Sequence, residues 1–380
     1  MKGGNKFLIF TSFDDSKILI GYRRNPLNRD DNINHDLLGF FVFDSHFEKV
    51  WGDEIKMPHT EAEMNNLAFT VGSDGTGYLL SYLNKAKSFE LIKITENGEV
   101  STYELNLNGD FMFQSFYITE NTDGNLSCAG FYANGLDYKF SWSGGGALSF
   151  NTNGILHFET TTEGDVYKIK DYEFPLELIN QNQSQRSQNK NAKREAEGKA
   201  GIPDVKLREI ETFEDGSALV IGEQYYQRTE YTGNGNKVFF YYQDVIALKV
   251  DAQGEVKWLK RLPKLQNGVK GRGGNGVKYM RGNGAHYFIY LDNKKNLNLS
   301  VNDVPEKHQD GQGGILTSYK IDDATGSVEK HALFDVRSVK GKELFQFKTS
   351  RIFIADEGIF LVEAYMKGKQ DSMIKIEVLN

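Results

Sequence analysis

EDGSALVIGEQYY, residues 214–226, is the stretch from which the fold can be read. An Asp-Gly pair that tolerates positive φ is followed by a run of apolar residues, a Gly and then aromatic residues, which is the grammar of a tight hairpin turn entering a strand. The same grammar recurs five more times. The turn pairs are Asp14-Asp15, Asp74-Gly75, Asp123-Gly124, Asp215-Gly216, Asn283-Gly284 and Glu357-Gly358. Four residues past each turn stand Leu19, Leu79, Cys128, Val220, Phe288 and Val362, all apolar. Two residues further on are Gly21, Ser81, Gly130, Gly222, Tyr290 and Ala364, and next to them Tyr22, Tyr82, Phe131, Glu223, Leu291 and Tyr365.

A second hairpin follows each copy. Its entry strand reads Phe41-Val42-Phe43, Ile92-Lys93-Ile94, Leu148-Ser149-Phe150, Leu248-Lys249-Val250, Tyr319-Lys320-Ile321 and Ile374-Lys375-Ile376, and in four copies a Gly-ended turn leads on to Val100, Leu156, Val256 or Val328. Two hairpins make four strands, and six such units match the radial repetition of a β-propeller. The fold expected is therefore all-β: one six-bladed propeller domain over residues 1–380, with four-stranded antiparallel blades. The last blade has no fourth strand in sequence, so it is three-stranded or completed from upstream in a longer natural chain. Between units three and four, residues 174–206 include some twenty positions that are almost free of apolar residues. Leu176, Leu178 and Ile179 are expected to dock a short helix there, and the polar remainder to stay solvated and flexible.

Composition bounds the rest. The 380 residues carry a net charge of -7 and a single cysteine. One cysteine excludes a disulfide framework and any zinc site built on two thiolates. The acidic balance argues against nucleic acid, and no segment approaches the ~20 apolar residues that cross a bilayer. The start, MKGGNKFLIFTSFDD, lacks the core of a leader peptide. The expected location is periplasmic or extracellular if a leader has been removed, and cytoplasmic otherwise.

The turns inside hairpins are tight, whereas Arg23 to Asp36, Tyr225 to Gln243, Asp292 to Gly313 and the connections Trp51 to Asn65, Phe174 to Lys206 and Pro263 to Gly276 are long. In a propeller these share one side of the disc, so that side is the expected working face. Candidate ligand-binding residues on it are Arg23, Arg24, Glu223, Tyr225, Tyr226, Arg228, Tyr231 and Arg272, since Tyr and Arg dominate binding hot spots. Glu223 is the outlier of its otherwise apolar column, which points to a partner such as Arg228 or to a ligand. Asp30, Asn32, Asn34 and Asp36 alternate in RDDNINHD as calcium ligands do, but His35 and Phe41 stand where a calcium loop has its Gly and closing Glu. No other cofactor is expected. KGRGGNG, residues 270–276, lacks the Lys of a phosphate loop. The seven histidines show no metal spacing, and Cys128 falls in an apolar column, so it is expected in the core.

EKVWGDEIKMP (48–58), GEQYY (222–226) and DVIALKVDAQGEVKWLKRLPKLQ (244–266) together resemble uncharacterised bacterial β-propellers of the secreted or envelope type. That resemblance implies a six-bladed fold and export, and no catalytic residue. No nucleophile elbow, metal set or acid pair stands out. The functional expectation is a non-catalytic binding or scaffold propeller that presents its long loops to a protein or glycan partner, with membership of an envelope assembly as a further expectation. The alternative is a carbohydrate-active enzyme, a polysaccharide lyase or hydrolase, that uses the central channel with Glu223 as its acid.

Overall fold

The structure, a computed structural model, describes residues 7–24, 30–107, 112–134, 136–139, 147–232, 235–269, 275–309, 313–337, 344–356, 358–366 and 370–377. Among the described residues, six of the seven sheets are blades that follow one another along the chain, each built on antiparallel strands. Blade 1 is Leu8–Thr11, Lys17–Arg23, His35–Asp44 and Lys49–Thr60; blade 2 is Met64–Val71, Gly77–Leu83, Ser88–Ile94 and Val100–Leu105. Blade 3 is Met112–Glu120, Leu126–Ala133, Gly154–Thr160 and Val166–Glu173; blade 4 is Val205–Thr212, Ala218–Thr232, Gly235–Val250 and Val256–Leu262. Blade 5 is Lys278–Gly282, Ala285–Asp292, Ile315–Asp322 and Val328–Asp335, and among the described residues blade 6 is Leu344–Asp356, Ile359–Met366 and Gln370–Glu377. This is the six-bladed propeller expected, and among the described residues its last blade shows three strands.

The turn column does the work assigned to it. Its second residue has positive φ in every copy: Asp15 at 56°, Gly75 at 87°, Gly124 at 73°, Gly216 at 75°, Gly284 at 66° and Gly358 at 71°. Glycine takes that conformation without the Cβ clash that other residues suffer, and Asp tolerates it best among short polar residues.

Strands in this arrangement are covered on both faces, which is why they read as apolar runs. In blade 4, Ala218 and Val220 pack toward blade 3 while Leu219 and Ile221 pack toward blade 5. Five such cores join blades 1–2, 2–3, 3–4, 4–5 and 5–6. Cys128 lies in the second of them, fully buried, as expected from its column. Aromatic residues on fourth strands also clasp the next blade by hydrogen bonds. Trp51 Nε1 donates to Gly75 O at 2.7 Å, Tyr172 Oη to Gly254 O at 2.5 Å and Trp258 Nε1 to Asp323 O at 3.0 Å. All three clasps land on tight turns.

Three segments depart from the sequence reading. Leu148-Ser149-Phe150 is not the third strand of blade 3. It belongs to an inserted hairpin, Leu136–Lys139 with Ala147–Thr152, and the true third strand is Gly154–Thr160, which turns at Gly164. Trp51 to Thr60 is strand rather than loop. Tyr225 to Gln243 is likewise no loop but the outer half of a long two-stranded ribbon, with Thr232 opposite Gly235.

The insert before blade 4 folds into two helices. α1 (Leu176–Asn180) buries Leu178 and Ile179 against blades 3 and 4, as its apolar residues predict. α2 (Gln185–Glu195) starts at Ser184, whose hydroxyl accepts from Ser187 N, and it buries no residue. A capping Ser and basic residues Lys193 and Arg194 in the last turn suit the helix dipole, so this polar stretch forms a helix without entering the core. Among the described residues, no helix is long and apolar enough to cross a membrane.

Candidate functional site

The ribbon of blade 4 carries the aromatic residues picked out by sequence. Tyr226 stacks on Tyr241 with ring centroids 4.7 Å apart and planes at 7°, and Tyr225 meets Tyr242 at 4.9 Å. Gln266–Val269 pairs with Phe239 to Tyr242, and His308–Gln309 adds a parallel strand outside it, so the ribbon is braced from the blade 4–5 connection and the long loop of blade 5.

At the root of the ribbon lies a buried charge network. Glu223, 1% exposed, takes Lys264 Nζ on Oε1 at 2.7 Å and Arg208 Nη2 on Oε2 at 2.5 Å. Arg208 is the bulged residue between Leu207 and Glu209, and its guanidinium lies over Tyr225, 5.5 Å from the ring centre. Burial pushes the Lys264 ammonium down, and the adjacent Glu223 carboxylate opposes that shift. Lys264 Nζ also donates to Gln266 Oε1 at 3.1 Å. Beside this network Asp244 accepts from Arg261 Nε at 2.7 Å, from Lys264 N at 3.0 Å and from Asn182 Nδ2 at 3.0 Å. Arg261 Nη1 in turn donates to the carbonyls of Leu178 and Ile179, which ties α1 to blade 4. An ion pair taken out of water persists only when its remaining polar atoms are satisfied, and here they are.

This network floors a cavity of about 440 Å³ between the two helices, blade 4 and the blade 5 loop at Val304 and Pro305. Six of its lining side chains are amides: Asn151, Asn182, Gln183, Asn191, Gln224 and Gln243. Gln243 donates to Tyr226 Oη at 3.1 Å, so the stacked tyrosines stand at the cavity edge.

A different environment surrounds the innermost strand of blade 4. Glu209 is pushed up to about 7, first by burial and then by the charge of Glu211, with Lys278 opposing. Glu211 is raised as well, again by burial first. The sequence reading did not single out either acid, because one Glu-x-Glu among so many acids has no distinguishing spacing.

The structure brings together only part of the sequence-derived set. Glu223, Tyr225 and Tyr226 converge at the root of the ribbon, but the partners of Glu223 are Lys264 and Arg208. Arg228 sits opposite Phe239 far along the ribbon, with Tyr231 84% exposed near its tip. Arg23 and Arg24 belong to blade 1. Arg23 pairs with Asp36 and with Glu61 Oε2 at 2.7 Å, and Arg24 with Glu54 at 2.8 Å. Arg272 lies outside the described residues. The four calcium candidates do not converge: Asp30 accepts from Asn32 N and Nδ2, whereas the Asp36 carboxylate is taken by Arg23 and by Asn66 at 2.6 Å. Among the described residues, no three His, Cys, Asp or Glu side chains group as a metal site. Sequence reasoning missed Lys264, Asp244, Arg261 and the amides of the insert; the run NQNQSQ, 180–185, was their one visible signal.

No family model matches the chain, and no curated protein matches it in sequence. Among solved structures it is similar to a protein of unknown function from Bacteroides caccae, at 13% identity over 69% of this chain and 83% of that one, with TM-score 0.27. It is also similar to a protein of unknown function from Dyadobacter fermentans, at 10% identity over 99% and 96% of the two chains, TM-score 0.37. A third is an α-L-arabinofuranosidase from Clostridium thermocellum, at 7% identity over 87% and 94%, TM-score 0.32. Likeness at this level carries no argument about activity.

Proposed function

We propose that the protein is a non-catalytic binding propeller that holds a neutral glycan in the amide-lined cavity on its long-loop face. The observation that carries this reading is the cavity wall. Each of the six amide nitrogens makes one hydrogen bond within the fold and keeps a second hydrogen, so the wall still combines donors with carbonyl acceptors, as a polyol requires, and the buried charges beneath are matched to one another. A volume of about 440 Å³ suits a ligand of one or two sugar rings, within the usual range for small-molecule sites. The Tyr226–Tyr241 stack at the edge supplies a flat apolar wall for a further ring. Titration calorimetry against a panel of neutral oligosaccharides tests this. A hit whose affinity falls about tenfold or more in Gln224→Ala and Gln243→Ala variants supports it; affinity unchanged in both, or no neutral glycan bound, overturns it.

A second reading rests on Glu209. A half-buried carboxyl raised to about 7 beside a second acid is the condition for general acid catalysis near neutral pH. It replaces Glu223 as the acid for a channel enzyme, because Glu223 is locked between two cations. Polysaccharide turnover abolished by Glu209→Gln would favour this reading over the first.

A further inference from the structure

The helix α2 turns one side to the cavity. Ser184, Ser187, Lys190, Asn191 and Arg194 line it, and steps of three and four residues put them on a single helix face. Lys193 is outside that set and exposed on another side of the same turn. The helix is held in this rotation by Asn191, whose Nδ2 donates to Asn180 Oδ1 at 2.9 Å, and by Gln188, whose Nε2 donates to Gln183 O at 2.9 Å. Across the chain acids outnumber bases, 52 Asp and Glu against 45 Lys and Arg. The cavity reverses that balance, since among the described residues Lys190, Arg194, Arg261 and Lys264 line it against one acid, Asp244. Arg261 is taken by Asp244 at 2.7 Å and Lys264 by Glu223 at 2.7 Å, while Arg194 Nε donates to Lys199 O at 3.2 Å. Among the described residues, no carboxylate pairs with the Lys190 ammonium.

We infer that the glycan of this cavity is an acidic one: a neutral ring lies against the amides, and the next ring carries an anionic substituent, a carboxylate or a sulfate ester, that Lys190 receives. This rests on the glycan reading above and names the class of glycan, the neutral unit in the cavity being one ring of a longer acidic chain. A concave site lined by one sign of charge gathers ligands of the other sign. The floor cations cannot take the anion, because their own carboxylates hold them in place. Lys190 can, since it gives up no acid partner to do so, and its ammonium meets an anionic oxygen as a point charge on a flexible stem. The one acid on the wall does not oppose this: Asp244 already accepts from Arg261, from Lys264 N and from Asn182.

The test is titration calorimetry on the full chain with paired probes: gluco-, manno- and galacto-trisaccharides, and for each the counterparts whose terminal primary hydroxyl is oxidised to the uronate or sulfated. An anionic counterpart binds about fivefold more tightly than its neutral parent, and added salt erodes the difference. Lys190→Gln brings the anionic-to-neutral affinity ratio close to one. Lys193→Gln, which removes the same charge from the other side of the helix, leaves the ratio as in wild type. Anionic counterparts that bind no more tightly than their parents, a Lys190→Gln ratio equal to that of wild type, or an equal loss in Lys193→Gln would each overturn the inference. In any of these cases the neutral reading still stands if Gln224→Ala and Gln243→Ala weaken the neutral parent. Conversely, anionic probes held through Lys190 while no neutral sugar binds overturn the neutral reading and support the anion site.

Discussion

Lys264 Nζ stands 2.7 Å from Glu223 Oε1, and both side chains are 1% exposed. Two charged side chains this deep are tolerated only because each replaces the other's lost solvent, so removing one partner costs more than removing both.

Glu223→Ala leaves the Lys264 ammonium buried without its carboxylate and is expected to cost about 3–5 kcal/mol in urea unfolding. Glu223→Gln combined with Lys264→Met removes both charges, while Arg208, whose side chain is 35% exposed, turns to water. The double variant should be more stable than Glu223→Ala. If it is equally unstable or worse, the network is valued for its hydrogen bonds rather than its charge balance.

Gly222 in blade 4 packs against Phe131 in blade 3. A Cβ there would fall 2.4 Å from the ring of Phe131, a fully buried side chain, and 2.8 Å from Val205. Gly222→Ala is expected to destabilise by about 1–3 kcal/mol. Gly21, in the same repeat column, meets nothing nearer than 3.7 Å, so Gly21→Ala should change the unfolding midpoint little.

Stability should carry a signature of Glu209. Its folded-state value of about 7 exceeds the ordinary 4.5, so between these pH values the folded chain holds a proton that the unfolded chain has released. Stability from this group is therefore full below about 4.5 and is lost as pH rises toward 7. Glu209→Gln removes the loss, and at pH 8 should gain on the order of 1–3 kcal/mol over wild type, with no gain at pH 4. His157, buried and pushed down to about 4, slopes the opposite way. The difference between variant and wild-type melts over pH 4–8 isolates Glu209, and a flat difference refutes the assignment.

The Cys128 thiol is fully buried and raised by that burial. Labelling by a thiol reagent should proceed only through unfolding, at a rate that rises with urea in step with the global transition. Rapid labelling of the native protein would contradict its place between blades 2 and 3.

Much of the fold was legible because Asp-Gly turns are dictated locally: a backbone at positive φ selects its residue whatever surrounds it. Blade 3 was misassigned for the same reason. Its inserted hairpin, Ala147–Thr152, offers the apolar alternation of a third strand, and alternation says nothing of which sheet a strand joins. The site was far less legible. Lys264 reaches Glu223 across 41 residues, and Arg261 reaches Ile179 across 82, so no local spacing announces either contact. Glu223 stood out only because an acid had entered an apolar column; that its partners were Lys264 and Arg208 was decided by a bulge at Arg208 and by the path of the blade 4–5 connection.

The clasps from Trp51, Tyr172 and Trp258 all close on the tight-turn side, where they bind successive blades into a chassis. The cavity, the ribbon and both helices stand at the other ends of the same strands. The contacts that hold successive blades together are thus built from parts separate from the cavity and the ribbon.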